Sequence, residues 1–330
     1  MGKKQLTIFI CAGVLCLLAA VLSLTLGAVE LSLAELWQAL LAGPQDTAGY
    51  IFWYARLPRT AACLLAGAAL AVSGAVIQGV LHNSLASPGT IGVNAGAGLA
   101  VTVCCALGFL SGWAVAGAAF AGAMAAVVLV VYLAEKTGAS RTTVILGGVA
   151  VNAFLNALSE AVTDLMPTIA MLSSDFRVGG FASVSHVRLI PAGILILLAL
   201  AVTLTRCNEL DVLALGEETA QSLGLNVRRM RTVFLFLAAM LAGAAVSFAG
   251  LLGFVGLIVP HAVRRLAGSE SRHVLPLCAL GGGAFVTLCD LACRLLFAPY
   301  ELAVGIGMSV LGGPFFMLLL IKNRGGKRHA

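Results

Sequence analysis

Ten apolar runs divide the chain, near residues 6–28, 59–81, 90–110, 112–134, 142–164, 189–206, 230–250, 252–266, 274–297 and 304–322. Most approach the roughly 20 residues a helix needs to cross a hydrocarbon core about 30 Å thick. Inside a bilayer every backbone N–H and C=O must be satisfied without water, so continuous runs of this length specify helices. The fold class read from them is an all-α polytopic membrane protein of about ten transmembrane helices. A single membrane domain spans 1–330. Composition agrees: 60% of the 330 residues are hydrophobic and 10% are charged. The 38 glycines suit helices whose backbones approach closely. The third, sixth and eighth runs are short or interrupted by glycine. The first follows Lys3 and Lys4 and is longer than a usual signal-peptide core, so it reads as a retained first helix.

Ten spans put both termini on one side, and charge tests that count. With the termini in the cytoplasm, fifteen of the twenty basic residues fall inside, among them Lys136, Arg141, Arg206, Arg228, Arg229, Arg231, Arg264, Lys322, Arg324, Lys327 and Arg328. Arg56, Arg59, Arg177, Arg188 and Arg294 fall outside or near the outer ends of spans. This is the sorting that the positive-inside rule demands of a cytoplasmic membrane. The net charge of +6 therefore reports topology, and no interleaving of basic and aromatic residues points to nucleic acid. The segments AGAALAVSG (66–74) and AGAAVSFAG (242–250) agree at five of nine positions and would run in opposite directions, as in an inverted repeat.

Several chemistries are missing. No GxxxxGK[ST] loop is present to cradle phosphates, so any ATP must be handled by a partner. No GxSxG or HExxH motif occurs, the nine cysteines have no CxxC spacing, and the five histidines are scattered. The chain reads as a non-enzyme with no metal centre and no cofactor of its own. Acids at membrane depth are functional candidates by default, here Glu160, Asp164 and Asp290. Asp290 lies four residues before Arg294, where an ion pair on one helix face neutralises both. Glu160 and Asp164 share a face and either line a pathway or reach the interface.

LALGEETAQSLGLNVRRMR (213–231) is unlike its surroundings. Gly216 precedes Glu217 and Glu218, which suit the positive end of a short helix, and Gly224 supplies a stop after Leu223. Two turns of helix are unstable alone in water, so the segment is held by the membrane domain, docked on a partner, or both. Ala220 and Leu223 read as one small apolar face.

The chain resembles the FecCD family, the permease subunits of ABC importers for iron-siderophore complexes, haem and cobalamin. The resemblance rests on RLPR (56–59), AGAALAVSGAVIQGVLHNSLASPGTIGVNAGAG (66–98), LGEETAQSLGL (215–225), GLLGFVGLIVPHAVRRLAG (250–268) and ELAVGIGMSVLGGPFFMLLL (301–320), in family order. It implies a homodimer of ten-helix subunits with one path along the dimer axis. Two ATPase subunits would lie on the cytoplasmic side and a substrate-binding protein outside. It makes the segment near 213–228 the coupling segment, with Gly216, Glu217, Glu218, Ala220, Leu223 and Gly224 as candidates for contact with the ATPase. Ala220 and Leu223 would face its cleft and the two glutamates its rim. Arg228, Arg229 and Arg231 would then anchor the next helix at lipid headgroups.

The same resemblance makes Arg56, Arg59 and Arg294 candidates to receive carboxylates of the binding protein, for which a guanidinium fork is suited. Gln78, Asn83, Asn94, Glu160, Asp164 and Arg177 are candidates for the path. Two stretches depart from the family pattern: Ser84 follows Asn83 where a proline is usual, and SSDFRVGGFASVSH (173–186) lacks the usual tryptophan. Arg177 at an outer mouth would suit an anionic cargo. The reading is an importer permease moving an iron chelate by alternating access, with cobalamin as the alternative cargo. An ion-coupled secondary transporter and an energy-independent channel are the rivals from other classes.

Overall fold

The computed structural model describes residues 3–27, 32–136, 140–296, 298 and 300–325. Ala28, Phe297, Lys327 and Arg328, used in the span and charge readings, lie outside the described residues, as do the side chains of Lys322 and Arg324. The helices, in order, are α1 (Lys3–Thr25), α2 (Leu33–Ala42), α3 (Thr47–Tyr50), α4 (Leu57–Leu81), α5 (Val93–Ala106), α6 (Gly112–Lys136), α7 (Arg141–Leu165), α8 (Pro167–Val178), α9 (His186–Thr205), α10 (Cys207–Ala214), α11 (Glu217–Ser222), α12 (Val227–Ala249), α13 (Val255–Ala267), α14 (Ser271–Leu296) and α15 (Val304–Gly325). No strand occurs among the described residues.

Each of the ten apolar runs became a helix. Seven segments are long and apolar enough to cross a bilayer, with α4 continuing a helical stretch that starts at Thr47. The runs flagged as short in sequence include α5 and α13, of 14 and 13 residues. At 1.5 Å per residue, such helices reach only about 20 Å. Each is completed by irregular chain. A loop closed by the 3-10 turn Pro88–Ile91 leads into α5, and Gly250–Phe254 leads into α13. Non-helical backbone is tolerated inside a membrane protein only where it is paired. Here Leu251 N donates to Phe176 O (2.9 Å), Gly180 N to Ala249 O (2.8 Å) and Gly305 N to Gly179 O (3.2 Å).

At the centre, α4 packs against α12, α13 and α14. The close approach is set by glycine: a methyl group on Gly67 of α4 would land on the backbone of Gly282 in α14, and one on Gly74 on that of Gly256 in α13. Ser73 Oγ donates to Ala238 O of α12 (2.7 Å), a bond across two buried helices. The similar segments 66–74 and 242–250 thus lie in the two most buried helices, which contact one another.

Candidate functional site

At one end of the bundle, α10 packs against α4 and α14, and α11 against α12. Gly216 (φ 117°) and Gly224 (φ 82°) bracket α11 in backbone conformations that favour glycine. Leu225 N donates to Ala220 O (3.0 Å) and Gly224 N to Gln221 O (2.9 Å), a Schellman closure that satisfies the last carbonyls of a helix too short to stand alone. Asn226 then caps α12 by accepting from Arg229 N (3.0 Å).

Two contacts pin α11 to its own chain. Ala220 is 0% exposed and belongs to the hydrophobic core, and Glu217 pairs with the buried Arg231 (3.1 Å). This corrects two expectations. Ala220 does not share an outward face with Leu223, because a six-residue helix has one inward face and Ala220 occupies it. Arg231 does not reach headgroups: it lies one turn into α12 on the side facing α11. Outward, Leu223 is 63% exposed, with Leu215, Glu218 and Gln221 also exposed. Neighbouring bonds tie this platform to the long helices. Asp211 of α10 accepts from Ser271 N (2.9 Å), Arg228 pairs with Glu135 of α6 (3.1 Å), and Arg141 of α7 donates to His82 Nδ1 at the end of α4. Burial, and then the charge of Arg141, hold the His82 imidazole below its ordinary pKa, which keeps Nδ1 available as the acceptor.

At the opposite end, five charged residues from two distant stretches of the sequence converge. Asp290 is 1% exposed and accepts from Arg59 Nε and Nη2 (both 3.0 Å at the nearest), while Arg294 Nε lies 3.1 Å from its Oδ2. The i, i+4 pair anticipated from sequence is present, and Arg59 from α4 completes it. Arg59 Nη1 also reaches Glu301 (2.7 Å), at the start of the ELAVG segment. Arg56 is buried and turned toward α1, where it donates to Leu24 O (2.5 Å) and Thr25 O (2.6 Å) and so closes the C-terminal end of that helix. Arg294 donates to Ser23 Oγ (2.9 Å). Of the three arginines, Arg59 carries the ion pair with an exposed partner.

The path candidates separate into two groups. Gln78 is buried and donates to Gly256 O (3.0 Å), while Arg264 donates to its carbonyl, so it joins helices. Asn83 accepts from Leu85 N (2.9 Å) within its own loop, and Asn94 is half-buried in the first turn of α5. Glu160, Asp164 and Arg177 are exposed. Glu160 and Asp164 continue a row begun by exposed Asn156, four residues apart along one face of α7. The sequence reading missed Asn156, although its spacing was visible. It also missed Asn152, which donates to Gly89 O (2.7 Å) and joins α7 to the turn before α5. An exposed helix face that carries an amide and two carboxylates is unsuited to lipid.

Comparison with known proteins agrees with the architecture. Residues 15–322 match the FecCD transport family. The hemin transport system permease protein HmuU of Yersinia pestis is 34% identical over 317 residues, covering 94% of each chain. The iron(3+)-hydroxamate import system permease protein FhuB of Bacillus subtilis is 37% identical over 328 residues, covering 94% of this chain and 83% of that one. A solved structure described as an inward-facing conformation of a transporter of the metal-chelate ABC type superposes with a TM-score of 0.85 at 28% identity, covering 96% of this chain and 99% of that one.

Proposed function

The chain belongs to the FecCD transport family and is the membrane-spanning permease of an ABC importer, and on that premise we propose that it carries an iron chelate, a ferric siderophore or haem, into the cytoplasm. Two copies assemble around one path, with the polar row Asn156, Glu160 and Asp164 of α7 along it. Two ATPase subunits dock below on α11, and a substrate-binding protein docks above beside Arg59. The termini face the cytoplasm. ATP and Mg belong to the ATPase subunits.

The observation that carries the mechanism is the pinned short helix with an exposed leucine. Glu217–Arg231 and buried Ala220 make α11 rigid with α12, and Asp211–Ser271 ties α10 to α14. A push on Leu223 and Leu215 is therefore delivered to long helices that cross the bundle. Closure of the ATPase pair tilts those helices and opens the path on one side only. This chain forms no covalent bond with its cargo.

The cargo is tested by the absorption spectrum and mass of the compound that co-purifies with the cognate binding protein. A haem spectrum or a ferric-siderophore charge-transfer band is the expected result. A corrin spectrum would replace the iron chelate with cobalamin while leaving the permease assignment intact.

A further inference from the structure

Arg59 holds two carboxylates of very different character. Asp290, 1% exposed, takes Nε and Nη2, while Glu301, 48% exposed, takes Nη1 at 2.7 Å. The buried contact is bidentate and is shared with Arg294. The outer contact is a single, half-solvated ion pair, the kind that exchanges readily. Arg59 and Glu301 also line a cavity of about 280 Å³, walled by Ser174, Asp175 and Val178 of α8 and by the turn Gly179–Ser183. The cavity has room for a partner's side chain beside the Nη1 edge. With Glu301 present, the cluster sets three arginines against two carboxylates; without it, against one.

We propose that Glu301 is an internal stand-in for the docking carboxylate. It occupies Arg59 Nη1 in the undocked permease and is displaced when an acidic side chain of the binding protein enters the cavity. The exchange keeps the guanidinium oriented by Asp290 throughout and loosens the complex, which favours release of the emptied partner. Matching an exposed charge with an internal competitor lowers the association rate and the salt dependence of docking, because both scale with the uncompensated charge on the rim. The inference rests on the reading of Arg59 as a docking residue.

The test measures binding of the fluorescently labelled cognate binding protein to the complete transporter in nanodiscs at low and high salt. Glu301→Gln should tighten binding by about fivefold at low salt, mainly through faster association, with the gain fading at high salt. Asp175→Asn removes a charge from the same cavity without a contact to Arg59, and should change affinity by less than about twofold. Arg59→Lys retains a charge for Asp290 but has no fork for a second carboxylate; it should weaken binding and cancel the gain from Glu301→Gln. Weaker binding in Arg59→Lys with no gain in Glu301→Gln would overturn the stand-in while leaving docking at Arg59 in place. An equal gain in Asp175→Asn and Glu301→Gln would also overturn it, since the effect would then be general charge. Unchanged binding in both Arg59→Lys and Glu301→Gln would overturn the docking reading and the inference with it.

Discussion

Leu223→Asp will disconnect ATP hydrolysis from uptake while the membrane domain stays folded. Leu223 is 63% exposed at the end of α11 and is no part of the buried core, so its replacement leaves that core intact. Burying a leucine in a partner's cleft contributes about 1.5–3 kcal/mol. A carboxylate there loses that gain and adds a desolvation cost. Since about 1.4 kcal/mol is a factor of ten in an equilibrium constant, ATP-driven uptake in proteoliposomes should fall by more than about tenfold. The variant should elute from size exclusion as the wild type does. Ala220→Asp is the contrasting case: it puts a charge into the core from the inward face of the same helix, so it should reduce the yield of folded protein. Full uptake by Leu223→Asp would remove α11 from the coupling path.

Asp290→Ala should produce the largest loss of stability of any single change at the outer end. Arg59 is 15% exposed, Arg294 is mostly buried, and Asp290 is the carboxylate between them. Removing one partner of a buried ionic cluster leaves charge without compensation, a cost of about 3–5 kcal/mol. Irreversible thermal unfolding followed by fluorescence-detected size exclusion should show a drop of several degrees. Asp290→Asn, which keeps part of the hydrogen bonding, should fall between that variant and wild type. Replacing Asp290, Arg59 and Arg294 together by apolar residues of similar volume should recover most of the stability, because no member of this ion-paired trio is then left buried without its partners. An unchanged melting temperature in Asp290→Ala would mean that the cluster contributes nothing to the fold.

These two sites differ in how much of them sequence could show. The apolar runs appeared as helices because their length is dictated by the bilayer, and α13 came out as a half-length helix where glycines already interrupted the run. The Asp290–Arg294 pair was readable because four residues is one helical turn. Arg59, 231 positions from Asp290, was not, since only the packing of α4 on α14 through Gly67 and Gly282 brings them together. The inward side of α11 was also hidden. Over six residues, one alanine and one leucine do not define a face, and the side taken by Ala220 is chosen by Arg231 and the core beyond. The row Asn156, Glu160 and Asp164 was half seen: the acids stood out as charges at depth, while Asn156 carried no charge to mark it.

The central claim is that work enters this permease from ATP hydrolysed elsewhere. It is tested most directly by reconstituting the permease in liposomes with the binding protein and ferric cargo outside, with and without the ATPase subunits and internal ATP. Accumulation against a gradient only when both are present, and none under an imposed proton or sodium gradient alone, is the predicted result. Gradient-driven accumulation by the permease without its ATPase, lost on Glu160→Gln with Asp164→Asn, would contradict it and make the α7 acids the coupling site of a secondary transporter.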